Sequence, residues 1–477
     1  MVKLFHNVTQ PGNATAMDLT VSGLTMQSNL SGVHAKLINN VTVLDFGIEF
    51  DPEDVNRVFV SGRLSVLFVL PSNVNMTFKA LTTTIQFDIL FDGGIRMARM
   101  NLTDLPVQHN QTTNVITIGF EKQELVVLNK TAFEEFAVNL VLTSNVTMAI
   151  DGTTTAVAQT AIGNLTLIQI PVSDTVSLNG YNQFDGGLLK IDNIDIDKSL
   201  SNHSLILRVK TEITNPSVVN IINGGRLLLD LCDMHRGTSL GLVTIDPFVL
   251  APQGTPTIVI AEGLVNMTNN NTEVLREFIS KMVSGLGTDV ELRGTLEDNS
   301  TGTDIPYLVL AISGLRIHTT VQGLVGNSSL VQELLVKHLT AAEIAGITIG
   351  LVKMLSARIR IVNPFNASLI IHGIDVKVYY GPKVDDSLQV GLVHDQTPIR
   401  VGPYEQLISP YVNVTIAAKL TTLATLIVPL LEGNARLSLY GVISFTIGDE
   451  FVLNQIPVTL LDIPTKQEPK SEQEIIF

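Results

Sequence analysis

The chain has 477 residues, with 30 Lys+Arg against 45 Asp+Glu and a formal net charge of −15. That balance argues against a nucleic-acid partner, because phosphate recognition needs a basic footprint, and 45% apolar residues with 16% charged exclude global disorder. A single cysteine excludes a disulfide framework or a cysteine-based zinc site within one chain, and the length suits about three domains.

The elements repeat in chain order. Val66–Val69, Thr211–Thr214 and Arg360–Val362 read as strands that run into Pro71, Pro216 and Pro364, prolines 145 and 148 residues apart. Proline cannot donate to a central ladder, so each marks a bulge, an edge or a strand break. Glycine turns follow at Asp92-Gly93-Gly94, Arg236-Gly237 and Tyr380-Gly381-Pro382, and read as hairpin connections. A short amphipathic helix comes next in each copy. Its apolar sets are Phe133, Phe136, Ala137, Leu140, Val141, then Leu275, Phe278, Ile279, Met282, Val283, then Leu423, Leu426, Ile427, Leu430, Leu431. All three follow the i, i+3, i+4, i+7, i+8 stripe. Thr131 and Glu134 suit a capping box for the first, and Pro429 should bend or shorten the third.

A strand ending in glycine closes each pattern, at Gly152, Gly294 and Gly441, with helix-to-glycine spacings of 19, 19 and 18. A final strand carries Ile170-Pro171, Ile305-Pro306 and Ile456-Pro457. Agreement in order and spacing is the signature of a repeat. The fold class expected is all-β, with one short helix per repeat: three tandem immunoglobulin-like antiparallel β-sandwiches. The expected boundaries are 1–177 (first sandwich with an N-terminal strand), 178–322 (second), 323–465 (a helical insert, Ser328 to Leu355, and the third) and a polar tail at 466–477.

Asparagine is the loudest compositional signal. Seventeen Asn-x-Ser/Thr triplets occur, at Asn7, Asn13, Asn29, Asn40, Asn75, Asn101, Asn110, Asn129, Asn145, Asn164, Asn202, Asn266, Asn270, Asn299, Asn327, Asn366 and Asn413. Chance would give about five, so all are candidate N-glycan sites, and the compartment expected is extracellular or a secretory or vacuolar lumen. In nine of them the middle residue is Val, Leu or Met. On a strand that arrangement points Asn and Thr at solvent and the apolar residue at a core. Met1–His6 is too short for a signal peptide, and Leu420–Leu431, with 12 residues and Pro429, is shorter than the roughly 18 needed to span a bilayer. A leader or anchor is therefore expected outside this chain.

The layout of strand, Asn-Pro, strand and turn, at Asn215-Pro216 and Asn363-Pro364, resembles the late-embryogenesis-abundant type 2 domain, also called the water-stress and hypersensitive-response (WHy) domain. It is also similar to a related fungal and protist family of uncharacterised function with surface or vacuole-luminal members. The resemblance covers most of residues 55–465, three times. It implies tandem immunoglobulin-like sandwiches and no catalytic site. Copy one departs from the pattern, with Leu70 where that family favours Asn.

Candidate chemistry is sparse. The nine histidines show no His-x-x-x-His spacing. Cys232 and His235 are three apart, which on a strand sends them to opposite faces, so Cys232 reads as a core residue. Asp192, Asp195 and Asp197 raise calcium, but lack the Asp-x-Asp-x-Asp-Gly loop and read as a solvated strand face. No catalytic residue, metal or cofactor is expected, and the chain is not expected to be an enzyme. The function expected is a glycosylated structural protein of a cell surface or extracellular fibre. Its partners would be covalent N-glycans and other copies of itself, as a homopolymer or lateral assembly. Val2–Val8 or the terminal Ile475-Ile476-Phe477 could add as a strand to the next copy. The alternative is a lipid-binding module with an apolar groove between helix and sandwich.

Overall fold

Alternating side chains dictate the strands. Val58–Phe68 and Ser204–Thr214 bury alternate residues, and the triplets Asn101-Leu102-Thr103 and Asn145-Val146-Thr147 read exposed, buried, exposed. The computed structural model describes residues 14–21, 24–31, 37–69, 78–161, 163–201, 203–295 and 302–468. Three sheets contain nearly all of its strands, joined by five helices among the described residues: α1 (Lys130–Leu142), α2 (Thr272–Val283), α3 (Val309–Gly314), α4 (Ala341–Thr348) and α5 (Leu420–Leu431).

One topology recurs in all three sheets. The first runs Ile38–Phe50, Val58–Phe68, Val115–Val127, Ile95–Asn110, Phe78–Phe91, Asn145–Thr160, Gly163–Asn179, and is extended beyond this last strand by the N-terminal hairpin Ala14–Val21 and Leu24–Ser31. The second runs from Leu189–Ser201 to Arg316–Val321, and the third from Val331–Val336 to Phe451–Gln467, in the same order. Numbering seven strands along the chain within each sheet, the spatial order is 1-2-5-4-3-6-7. Folded between strands 4 and 3, that is the ABED and CFG arrangement of an immunoglobulin sandwich, so the fold is all-β and immunoglobulin-like. The helices α1, α2 and α5 each join strand 5 to strand 6.

The sandwiches differ in how strand 1 meets strand 7. In the first, Asp174 accepts a hydrogen bond from the Val41 backbone at 2.5 Å; in the second, the Thr319 hydroxyl donates to the Leu189 carbonyl at 3.2 Å. In the third, Leu334–Val336 pair in parallel with Thr465–Gln467 and close the ring. Glu333 ties that closure to Arg360 at 3.0 Å and Lys466 at 2.6 Å. Burial would raise the Glu333 carboxyl, but the bonds from Lys466 and Arg360 outweigh it and hold it below its ordinary value.

Several expectations need correction. Ser328 to Leu355 is not simply a helical insert: it supplies strand 1 of the third sandwich, Val331–Val336, ahead of α4. The last strand runs through Gln467, past residue 465, while 469–477 lie outside the described residues. The first helix is capped by Asn129, whose side chain accepts from the Ala132 N–H at 3.2 Å, and not by Thr131. Helix α5 carries Pro429 inside and ends two residues later. The repeated glycine ends strand 6 only in the second sandwich; in the other two the strand runs on, to Thr160 and Ile447. Gly152 and Gly441 are close-approach residues, because a Cβ there would lie 2.2 Å from the carbonyls of Gln86 and Asp375 on strand 3.

Candidate functional site

The junctions between sandwiches carry a set of specific polar contacts, and the Asn-Pro motif builds them. Asn215 is fully buried; its amide nitrogen donates to the Val219 and Ala251 carbonyls, both at 2.8 Å, and its oxygen accepts from the Ser217 N–H. Asn363 is likewise buried and donates to the Ala367 and Gly402 carbonyls at 2.7 and 2.8 Å. Each proline breaks the strand, and the preceding carboxamide pins the chain beyond it. That pinned segment reaches back to strand 1 of the sandwich before. Val219–Asn223 pairs in parallel with the edge of Ile38–Phe50, and the Phe46 N–H donates to the Val218 carbonyl at 3.0 Å. The Ala367 N–H donates to the Ile196 carbonyl at 2.8 Å.

The first junction is apolar. Helix α1 lies between the first two sandwiches, with Phe133 and Tyr307 rings 5.0 Å apart, edge to face. The Tyr307 hydroxyl donates to the Asn56 carbonyl at 3.2 Å, and Phe50 stacks on the same ring. The second junction is polar. Arg276 on α2 donates to the Asn454 and Gln455 carbonyls at 2.8 and 3.0 Å, and Ser280 donates to the Pro457 carbonyl. Asp195 accepts from the Asn366 N–H and the Tyr404 hydroxyl, and Asp197 accepts from the Asn366 amide nitrogen at 2.8 Å. Asp195 and Asp197 are therefore contact residues between sandwiches rather than a merely solvated strand face. Among the described residues no group of three or more His, Cys, Asp or Glu could hold a metal ion.

Cys232 and His235 are not brought together. The thiol is 1% exposed and donates to Asp230 at 3.2 Å, while His235 sits on an exposed turn. Burial and then the Asp230 carboxylate push the thiol up to about 12, so it stays protonated and is a poor nucleophile. Beside it Glu291 pairs with Arg293 two residues along its own strand and with His318 on the neighbouring strand.

The triplet asparagines face outward. Asn40, Asn101, Asn110, Asn145, Asn164, Asn270, Asn366 and Asn413 are exposed, and Asn129 and Asn266 are half-buried. The side chains of Asn7, Asn13, Asn29, Asn75, Asn202, Asn299 and Asn327 lie outside the described residues, as do Val2–Val8, Leu70 and Ile475–Phe477. Among the described residues the apolar space between helix and sandwich, the place expected for a lipid groove, is small: the cavity lined by α5 measures about 80 Å³ and that lined by α1 about 40 Å³, with about 60 Å³ inside the first sandwich. A ligand pocket for a drug-sized molecule is on the order of 300–1,000 Å³. An open cleft of about 950 Å³ does lie outside the first sandwich, against Val218 to Ile222, but polar and apolar groups share its walls, with Arg63 paired to Asp45 at 2.5 Å. No helix among the described residues is long and apolar enough to cross a membrane.

The family model that matches is described as a protein of unknown function (DUF3712), over residues 96–231. It begins on strand 4 of the first sandwich, takes in α1 and Val219–Asn223, and ends on strand 3 of the second, so the match spans the first junction. This overturns the resemblance to late-embryogenesis-abundant type 2 or WHy domains, for which no family model matches. The physical reason is visible above: a buried Asn before Pro is a strand-break device open to any sandwich. No curated protein matches the chain. Among solved structures, a partial N-terminal region of an enterococcal surface protein aligns at 8% identity and a TM-score of 0.13, covering 65% of this chain and 99% of that one. A likeness that weak carries no argument.

Proposed function

We propose that this chain is a non-enzymatic, N-glycosylated structural protein of a cell surface or extracellular fibre, built as a short rigid row of sandwiches. The observation that carries the reading is the outward placement of the triplet asparagines: of those with described side chains none is buried, although the intervening residues Val41, Leu102 and Val146 are. Glycans on such positions would coat the wet sheet faces and oppose lateral pairing of edges. Rigidity is supported by the two junctions, each of which combines a backbone bond to strand 1 with a helix contact.

The test is glycan mapping. The chain, secreted from a eukaryotic host, is weighed before and after endoglycosidase and its asparagines mapped by peptide mass. Several glycans are expected, Asn101, Asn145 and Asn413 among them, with Asn366 unmodified because its amide nitrogen is held by Asp197. A chain whose mass does not change on enzyme treatment refutes the reading.

A further inference from the structure

The internal repeat exposes one surface that the first two sandwiches cover. Aligning the helices on Phe133, Leu275 and Leu423 makes Glu134, Val138 and Leu142 of α1 equivalent to Arg276, Ser280 and the C-cap Ser284 of α2, and to Ala424, Val428 and the C-cap Glu432 of α5. All six residues on α1 and α2 are half-buried, and this row faces the following sandwich. Leu142 lies against Gly314 of the second sandwich; Ser280 and Ser284 bond Pro457 and Thr459 of the third. On α5 all three residues are exposed, Val428 at 57%. Ile427, too, is only partly buried, where its counterparts Ala137 and Ile279 are buried. Ile349 and Leu351, which follow α4, add exposed apolar surface to the third sandwich at 68% and 77%.

The complementary surface sits on the first sandwich. The segment that docks on α2 is Gln455-Ile456-Pro457-Val458, with Gln455 at φ 51°. Strand 7 of the first sandwich carries the same tetrapeptide, Gln169-Ile170-Pro171-Val172, with Gln169 at φ 52°. Gln169 and Pro171 are exposed to the same class as their docked counterparts Gln455 and Pro457, and the N-terminal hairpin pairs with this strand only at Leu165–Leu167, short of the bulge. A left-handed glutamine at the same place in two strands reproduces one bulge, and with it one docking shape.

We infer that copies of this chain join end to end, with the Ala424–Val428 face of α5 seating the Gln169–Val172 bulge of a second copy. The contact continues the α2 interface, with Val428 against Pro171 where Ser280 meets Pro457. It is a heterologous contact, so it generates rows rather than closed dimers. It replaces strand addition as the means of growth at this end, since the third ring is closed and offers no free edge between its first and last strands. The inference rests on the structural reading above but is tested separately from it.

The test is sedimentation velocity of the full secreted chain over a range of concentrations. The wild type is expected to sediment faster as concentration rises. Val428→Arg and Pro171→Arg, each placing a charge in the apolar contact, are expected to shift that rise by roughly tenfold or more in concentration. Their thermal midpoints should match wild type. Because Cys232 is buried, a Val428→Cys, Pro171→Cys double variant should give a disulfide-linked ladder on oxidation, and neither single variant should. A monomer at every concentration, association untouched by both arginine variants, or a dimer from Val428→Cys alone would overturn the contact. The mass of the same sample separates the two readings. A glycosylated monomer refutes the contact and leaves the glycoprotein; an oligomer without glycan does the reverse.

Discussion

The two junctions solve one problem with different chemistry. Both use a buried Asn before Pro to throw a segment onto strand 1 of the preceding sandwich. The first then seals the gap with Phe50, Phe133 and Tyr307, and the second with Arg276, Ser280, Asp195 and Asp197. Aromatic burial is insensitive to small shifts in hydrogen-bond geometry and contributes mainly through area. Exposed polar bonds contribute less, because water competes for each partner. The first junction should therefore behave as part of a core, and the second as a docked interface. The family match over residues 96–231 spans the first of these.

That contrast can be broken most directly at Phe133. Phe133→Ala removes a ring that is 3% exposed and meets Tyr307 as well as its own helix neighbour Phe136. The expected cost is about 3–5 kcal/mol in urea unfolding. The first and second sandwiches should then unfold in separate steps; if they still unfold together, the junction is not a shared core. Next in size, Asn215→Ala and Asn363→Ala each strip buried carbonyls of their donor, at about 1–3 kcal/mol. Nearly equal losses would show that the pin is common to both junctions, and a loss at one alone would show that it is not. The smallest effect belongs to Arg276→Ala, about 0.5–1 kcal/mol, read as a lower midpoint for the third sandwich. A cost as large as that of Phe133→Ala would erase the distinction between the junctions.

Much of the fold was legible beforehand. The buried sets of α1 and α2 contain every apolar residue read from their stripes, because helical periodicity is local. The expected exposure of Asn101 and Asn145 follows from the alternation of strands in the same way. Other features were not legible. Thr131-x-x-Glu134 satisfies a capping-box pattern, yet the helix begins at Lys130 with Asn129 as its cap, so Thr131 already lies within the first turn. Asp195 and Asp197 looked solvated because their partners Asn366 and Tyr404 are far along the chain. The identical Gln-Ile-Pro-Val segments were a signal present in the sequence, but only the shared positive φ and the contact at Pro457 gave them meaning.

Period, punctuation and composition by themselves determined that this protein is a row of β-sandwiches with an amphipathic helix repeated in each and asparagines on its wet faces, though not the extra helix α3. Those properties depend on neighbours two to four residues apart. The tertiary structure alone decided which edge receives Val219–Asn223, which helix row faces the next sandwich, and that the third ring closes on itself. Such choices rest on pairings between distant segments, where many edges and faces are chemically equivalent and only shape selects one.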